Sequence, residues 1–481
     1  MKKTLLAVTS IIVLVSVIAP KIVCNSFNQK LDSVVELINQ NPVYNVTIID
    51  RASDWFSSTA TINVGLDSST FNNNVGQKAY NEMQGVFANM NVDVVIDAQH
   101  GPILTQNGLA LGWLAWNARV DGNSLRETLE FDVNTPFYQI TSHTNLLGAS
   151  SYTDTIPSFL IKDDEIFTQL SFSGWNGFGT FSDSETRFQG MLETVFVNSA
   201  FGKFELNQWS VDSKIQGNLM DAMAGNFQNS TMSMQIQDIT FEQVTGQATD
   251  QAKTAITEIS MRVNSKFDEA TSLLDTEINF SLKDLTTAEL NVSSVSVNTE
   301  INNLKEQFFQ AYQILMNQLS KNPEKMQENL DNFMQTELLG QLQAEPEFNI
   351  SSFQAKINQG NITGSLNSKL EQITKLPDAI ESPVFWLQHL MVTGQINADK
   401  SVALSLAIDT IKSQIKADPS AAQMTKEEIA AIAEQKAPAM LQGIQQQGMF
   451  TETATGYQLK FSLTDGQALL NGNPMTLPTV Q

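Results

Sequence analysis

Ala60-Thr61-Ile62-Asn63-Val64-Gly65-Leu66 switches between apolar and small or polar residues at every step. A period of two is the pattern of a β-strand with one buried face. The rhythm dominates from Tyr44 to about Thr299. Phe204 and Leu206 alternate with Glu205 and Asn207, and Trp209 and Val211 continue one step out of phase, as a β-bulge would make them. Met232, Met234 and Ile236 form a further row before Ile239 and Phe241. Ile259, Met261 and Val263 form another, as do Ile278, Phe280 and Leu282, then Val295 and Val297. Asn107-Gly108, Asp121-Gly122 and Asn176-Gly177 read as turns between such runs. Few helical patterns intervene, which means antiparallel pairing.

Near Asn302 the period changes. Leu304, Phe308, Tyr312, Leu315 and Leu319 fall on one helical stripe, Asn322-Pro323 breaks it, and Met326, Leu330, Phe333 and Glu337 keep the register of a second helix before Pro346. This predicts a helical hairpin that braces the sheet or serves as an arm for a partner. Strand rhythm returns at Phe348–Leu366 and Leu390–Asn397, and helical patterns cover Val402–Lys416 and Lys426–Gln447. Thr425 with Glu428 has the spacing of a capping box, and Pro438 predicts a kink. A hairpin closes the chain, with Tyr457, Leu459, Phe461 and Leu463 alternating, Asp465-Gly466 turning and Gln467–Leu470 returning.

The N-terminus adds a separate element. Met1-Lys2-Lys3 is followed by Thr4–Ala19 without one charge, the pattern of a segment that enters a membrane with its N-terminus left in the cytoplasm. Residues 4–23 are the expected span, at the short end of what a bilayer needs, with Lys21 snorkelling outward. Val17-Ile18-Ala19 is the best cleavage site, but Pro20 follows and blocks it. Lys21-Ile22-Val23 is a poor lipidation signal before Cys24. A retained anchor is therefore expected over a cleaved signal or a lipidated Cys24. The expected class is α+β and β-rich: a long curved antiparallel sheet with a helical hairpin and C-terminal helices packed on it, preceded by one N-terminal membrane helix. The expected divisions are the anchor at 1–25, a β-rich region at 26–300, the helical hairpin at 301–346 and a mixed β/α region at 347–481.

Composition narrows the function. The net charge of −23 argues against nucleic acid and against docking on anionic headgroups. Charged residues are only 16% of the chain, while 42% hydrophobic content suffices for a core. Cys24 is the single cysteine, which rules out an internal disulfide and leaves an intermolecular one. His100, His143 and His389 lie far apart with no metal-ligand spacing. There is no Gly-x-Ser-x-Gly, no phosphate-binding loop and no dinucleotide fingerprint. Asp163-Asp164-Glu165, the densest acidic cluster, reads as a solvated turn. No catalytic residue, metal ligand or cofactor is assigned. The candidate ligand-binding residues are His100, in the turn Gln99-His100-Gly101-Pro102-Ile103, and Trp113 and Trp116, three apart, which suit a groove for acyl chains or glycans. Their plainer readings are a turn histidine and core aromatics.

Three regions resemble the YdgA-like family of bacterial envelope proteins, also called domain of unknown function 945. They are the short anchor leading into an amphipathic stretch around Phe27–Asn39, the His100-Gly101-Pro102 turn, and the run from Tyr457 to Met475 with Gly466-Gln467 and Leu470-Asn471-Gly472. Gln99 stands where an acid often precedes the turn, which weakens an acid–base role for His100. The resemblance implies a single-pass inner-membrane protein of a Gram-negative envelope, with its body in the periplasm and no known catalytic residues. A more distant likeness to AsmA-like envelope proteins implies a curved sheet with a greasy trough. The function expected is therefore non-enzymatic: binding lipid or another apolar ligand, or supporting envelope integrity. The alternatives are a homo-oligomeric interaction scaffold, such as a homodimer, and an unrecognised hydrolase.

Overall fold

The computed structural model describes residues 2–39, 44–66, 91–106, 108–162, 167–199, 202–243, 252–287, 290–321, 325–357, 360–377, 380, 382–418 and 424–475, with the side chains of the first helix from Ala19 onward. The chain begins with helix α1 (Lys2–Asn39), continuous through Pro20. Strands β1 (Tyr44–Ser53), β2 (Ser57–Leu66) and β3 (Asn91–His100) follow. A small hairpin, β4 (Ile103–Leu104) and β5 (Ala110–Leu111), precedes β6 (Leu114–Val120), β7 (Tyr138–Thr144) and β8 (Ser150–Ile156). Next come β9 (Phe159–Lys162), β10 (Phe167–Phe172), β11 (Trp175–Phe181), β12 (Thr186–Ser199), β13 (Gly202–Ile215) and the short α2 (Leu219–Met223). The long strands are β14 (Ser230–Gln243), β15 (Ala252–Asp268), β16 (Leu273–Thr286) and β17 (Asn291–Lys305). Helices α3 (Glu306–Lys321) and α4 (Met326–Phe333) follow, then a π-helical turn, Met334–Leu338, and α5 (Leu339–Gln343). The remainder is β18 (Glu347–Ile357), β19 (Gly360–Leu370), α6 (Pro383–His389), β20 (Leu390–Asp399), α7 (Lys400–Ala417), α8 (Lys426–Gln446), and β21 (Thr451–Glu452) to β24 (Asn473–Met475), with β22 at Gly456–Thr464 and β23 at Gln467–Leu470.

Two compact units result, residues 1–232 with 309–331, and residues 233–308 with 332–481. In the first, β1, β2, β3, β6, β7, β8, β11, β12 and β13 pair antiparallel in that order. The second half of α1 lies on one face of this ladder. Leu31 is buried with Val46, Ala60, Ile62, Ile96 and Ala118, and Phe27, Val35 and Ile38 pack around them. Positions 27, 31, 35 and 38 form one helical stripe, so burying that stripe fixes the helix on the sheet. Asn39 closes the packing by bonding both the N–H and the carbonyl of Val46. In the second unit β15 to β20 and β22 to β23 form the antiparallel ladder, with α7 packed on β19, β20 and β22. Helices α7 and α8 bury Ala407, Ile411, Ala433 and Ala437 between them.

Several local expectations meet the structure closely. Thr425 Oγ1 accepts from the Glu428 N–H and Glu428 Oε2 from the Thr425 N–H, the reciprocal cap of α8. Asp465 and Gly466 both take positive φ, as a two-residue hairpin requires, and so do Asn471 and Gly472 in the next turn.

Others need correction. Asn176-Gly177 is not a turn; it lies inside β11, paired on both sides. The bulge expected after Leu206 does not form. Leu206 pairs with Val195 and Trp209 with Leu192 in one unbroken register, while Gln208 adopts φ 50. A left-handed residue resets the alternation without inserting one. The second unit repeats the device. Ile256, Leu285 and Val292 pair on one side of Glu258 (φ 49) and Ser294 (φ 53), and Ile259, Leu282 and Val295 on the other, so the apolar pattern steps by three in each strand. Helix α3 starts at Glu306, not Asn302, because Leu304 pairs with Leu274 in the sheet. Within the expected stripe Leu315 and Phe333 are buried while Tyr312 and Leu330 are exposed. Cys24 is buried against Ser58, which is incompatible with an intermolecular bridge in the folded state. Asp163-Asp164-Glu165 and Asn322-Pro323 lie outside the described residues, as do the α1 side chains up to Ile18 on which the expected membrane helix depends. Among the described residues no helix is long and apolar enough to cross a membrane.

Candidate functional site

His100, Trp113 and Trp116 do not converge on one open site. His100 is fully buried at the end of β3, its ring 6.3 Å from that of Phe27 on α1. Burial holds its imidazole below the usual pKa, with the Trp55 backbone working against that shift. The turn around it is a tight crossing of chains. His100 N–H donates to Phe56 O, Gly101 N–H to Trp113 O and Gly112 N–H to Pro102 O. A Cβ on Gly101 would sit 1.6 Å from Gly112 O, so no other residue fits. Gln99 holds the same corner, its Oε1 accepting from the Thr105 and Gln106 N–H groups. Trp116 packs into the α1 core, whereas Trp113 is half-buried outside it and donates its indole N–H to Leu146 O.

A cluster that periodicity did not single out sits further along the face that carries α1. Ile140 pairs with Asp154, Asp154 with Gly177, and Gly177 with Gly190, so the chain of pairs places Asp154 in the row of Ala60, Ile96 and Ala118. Asp154 is 7% exposed. Its Oδ2 accepts from Trp175 Nε1 at 2.7 Å, and its Oδ1 is buried with no protein partner. Three glycines make room. A Cβ on Gly177 would meet Asp154 Oδ1 at 2.0 Å, one on Gly179 the Tyr152 ring at 2.8 Å, and one on Gly190 the Trp175 ring at 2.2 Å. Trp175 in turn stacks on Phe188 and meets Trp209 at 5.6 Å between centroids. Burial, with the Asp154 charge adding to it, pushes the Tyr152 phenol up to about 12 and raises that of Tyr138. The sequence signal was present in the glycines at 177, 179 and 190, but Asn176-Gly177 also has the form of a hairpin turn. What the arrangement does chemically is hold one desolvated carboxylate rigidly among aromatic rings.

The second unit offers a larger surface. Met261, Phe280, Val297, Phe353, Gly364, Ile396 and Leu459 are successive partners across β15, β16, β17, β18, β19, β20 and β22. The adjacent row runs through Ile259, Leu282 and Val295, and through Ala355, Ile362, Ala398 and Tyr457. Strand spacing makes the seven-strand row roughly 29 Å long. Leu282 and Ala355 are buried in it, while Phe280 is 36% and Ile396 51% exposed. The opposite face is polar. Ser260, Arg262, Asn279, Ser281, Ser296 and Asn298 line a groove of about 410 Å³ there.

Among the described residues no cluster of three or more His, Cys, Asp or Glu side chains is arranged to hold a metal. The chain matches, over residues 1–478, a family described as bacterial protein of unknown function (DUF945). No curated protein and no solved structure gave a match.

Proposed function

With the chain belonging to the DUF945 family as premise, we propose that it is a non-enzymatic envelope protein, held in the bacterial inner membrane by residues 4–23, whose periplasmic body binds a lipid acyl chain or a similar apolar ligand. The observation that carries this reading is the row from Met261 to Leu459. Apolar side chains on six of seven adjacent strands, with Gly364 between Phe353 and Ile396, are aligned by pairing, and Phe280 and Ile396 are left open to solvent within the row. A half-buried apolar strip of that length, open at Phe280 and Ile396, on an otherwise acidic, polar chain is a surface with room for an apolar ligand. An extended acyl chain matches it in shape, and binding there requires no catalytic group.

The test is extraction of the full chain from membranes with its native lipids, followed by mass spectrometry of what remains bound after detergent exchange. Retained lipid that is lost from Ile396→Asp and Phe280→Asp supports the reading. A lipid-free wild-type protein, or equal retention by both variants, sinks it. A second reading, a homo-oligomeric scaffold, draws on α3, where Tyr312, Ile314 and Met316 are all exposed. Crosslinking in intact cells through that helix would trap a second copy if it holds.

A further inference from the structure

We infer that the loops joining β1 to β2, β3 to β6 and β7 to β8 form an apolar rim that dips into the lipid bilayer beside α1. The inference rests on the anchor assigned to residues 4–23. Pairing puts the three connections at one end of the first unit, since Ser57 faces Gln99, His100 faces Leu114 and Leu114 faces Thr144. Backbone bonds tie them in series, from His100 to Phe56, Gly101 to Trp113 and Trp113 to Thr144. The rim is therefore a connected surface, not three separate tips.

Its chemistry departs from that of the rest of the chain. Residues 101–113 and 145–149 contain no charge, and Asp54 is the only charge in 54–57. Phe56, Ile103, Leu109, Leu111, Leu146 and Leu147 are all exposed there, Leu109 at 85% and Leu147 at 94%. A chain with 51 acidic residues has left this end almost without them. The connection at the other end of the same strands, 121–137, carries Asp121, Glu127, Glu130 and Asp132. Along the rim's own edge the next turn holds Asp183 and Glu185, which marks where the apolar surface stops.

The direction of α1 supplies the occupant. Asn28 bonds Ser53 and Cys24 lies against Ser58 at the rim end, while Asn39 bonds Val46 at the far end. The helix thus runs away from the rim, and its uncharged residues before Pro20 continue on the rim side. At about 1.5 Å per residue that segment reaches roughly 24 Å, and the whole of residues 4–23 roughly 30 Å, the depth of a hydrocarbon core. A body hung on such a short stalk holds its nearest loops at the bilayer surface. Trp55 and Trp113, at the base of these loops, are amphipathic side chains suited to the headgroup level. Burial of apolar side chains drives the contact, so it does not need anionic lipid.

The test uses the full chain in nanodiscs of neutral phosphatidylcholine. Because Cys24 is buried, a thiol-reactive, polarity-sensitive fluorophore reports single sites in Leu109→Cys, Leu147→Cys and, as the far-end control, Ser124→Cys. We expect blue-shifted emission at 109 and 147, quenched by lipids brominated on the acyl chain, with the control in water and unquenched. Water-like emission at 109 and 147, or shielding without lipid quenching, overturns the rim; the latter would mean a protein cover. Carbonate extraction separates this from failure of the anchor. A chain that stays in the membrane with wet loops refutes the rim alone. A chain that is released refutes the anchor, and the rim then falls with it unless the freed protein still floats with phosphatidylcholine vesicles through Leu109 and Leu147.

Discussion

Replacing Gly177 with alanine should be among the more damaging small substitutions in the first unit. The new methyl would stand 2.0 Å from Asp154 Oδ1 and 2.7 Å from its Cγ. The carboxyl must move, and β8 and β11 are paired on both sides of it, so the backbones cannot simply separate. Forcing a methyl into a filled site costs about 1–3 kcal/mol. Displacing Asp154 also breaks its bond from Trp175 Nε1, a hydrogen bond to a charged group worth about 1.5–3 kcal/mol. The expected loss is about 3–5 kcal/mol, partly relieved if Asp154 finds water. Urea unfolding followed by tryptophan emission is the assay. Of the six tryptophans, Trp55, Trp113, Trp116, Trp175 and Trp209 all lie in the first unit, so the signal reports that unit. The decisive measurement is a double-mutant cycle. In an Asp154→Ala background the Gly177→Ala change has nothing to strike and should be nearly neutral. A cost below about 1 kcal/mol for the single change, or an equal cost in both backgrounds, refutes the account of Gly177 as the space reserved for a buried carboxylate.

Three further outcomes follow from named groups. Tyr152, with its phenol near 12 against about 10 unfolded, favours the folded state below pH 10, and that contribution is lost as pH rises through 12; ultraviolet titration of the phenolates should show Tyr152 and Tyr138 ionising late, the Tyr152 step shifted down but still raised in Asp154→Asn because burial is its larger cause. His100, held below its usual pKa by burial, contributes fully above about pH 6.5 and its contribution is lost as pH falls below that value, so His100→Gln should flatten the acid side of the stability profile. Thr425→Ala removes the acceptor for the Glu428 N–H and should cost about 1 kcal/mol, read as roughly fivefold faster amide exchange in the first turn of α8 with the rest of the helix unchanged.

What the sequence alone determined is what depends on neighbours in the chain. Alternation at 60–66 and 259–263 named strands, Thr425 with Glu428 named a helix start, and Asp465-Gly466 named a hairpin, because propensity, capping and turn geometry act within a few residues. The uncharged run from Thr4 to Ala19 is likewise local information. The tertiary structure decided which strands meet and in what register. Period two says that Phe280 and Phe353 are on buried-type positions, but only pairing through Val297 places them in one row. The same dependence explains Gly177, read locally as a turn and placed in mid-strand by a carboxylate 23 positions earlier. It also explains the rim, whose loops lie 47 residues apart from Phe56 to Ile103 and 35 from Leu111 to Leu146 and join only because the strands between them stack. Close packing of side chains from distant strands is a many-body constraint, and no window along the chain contains it.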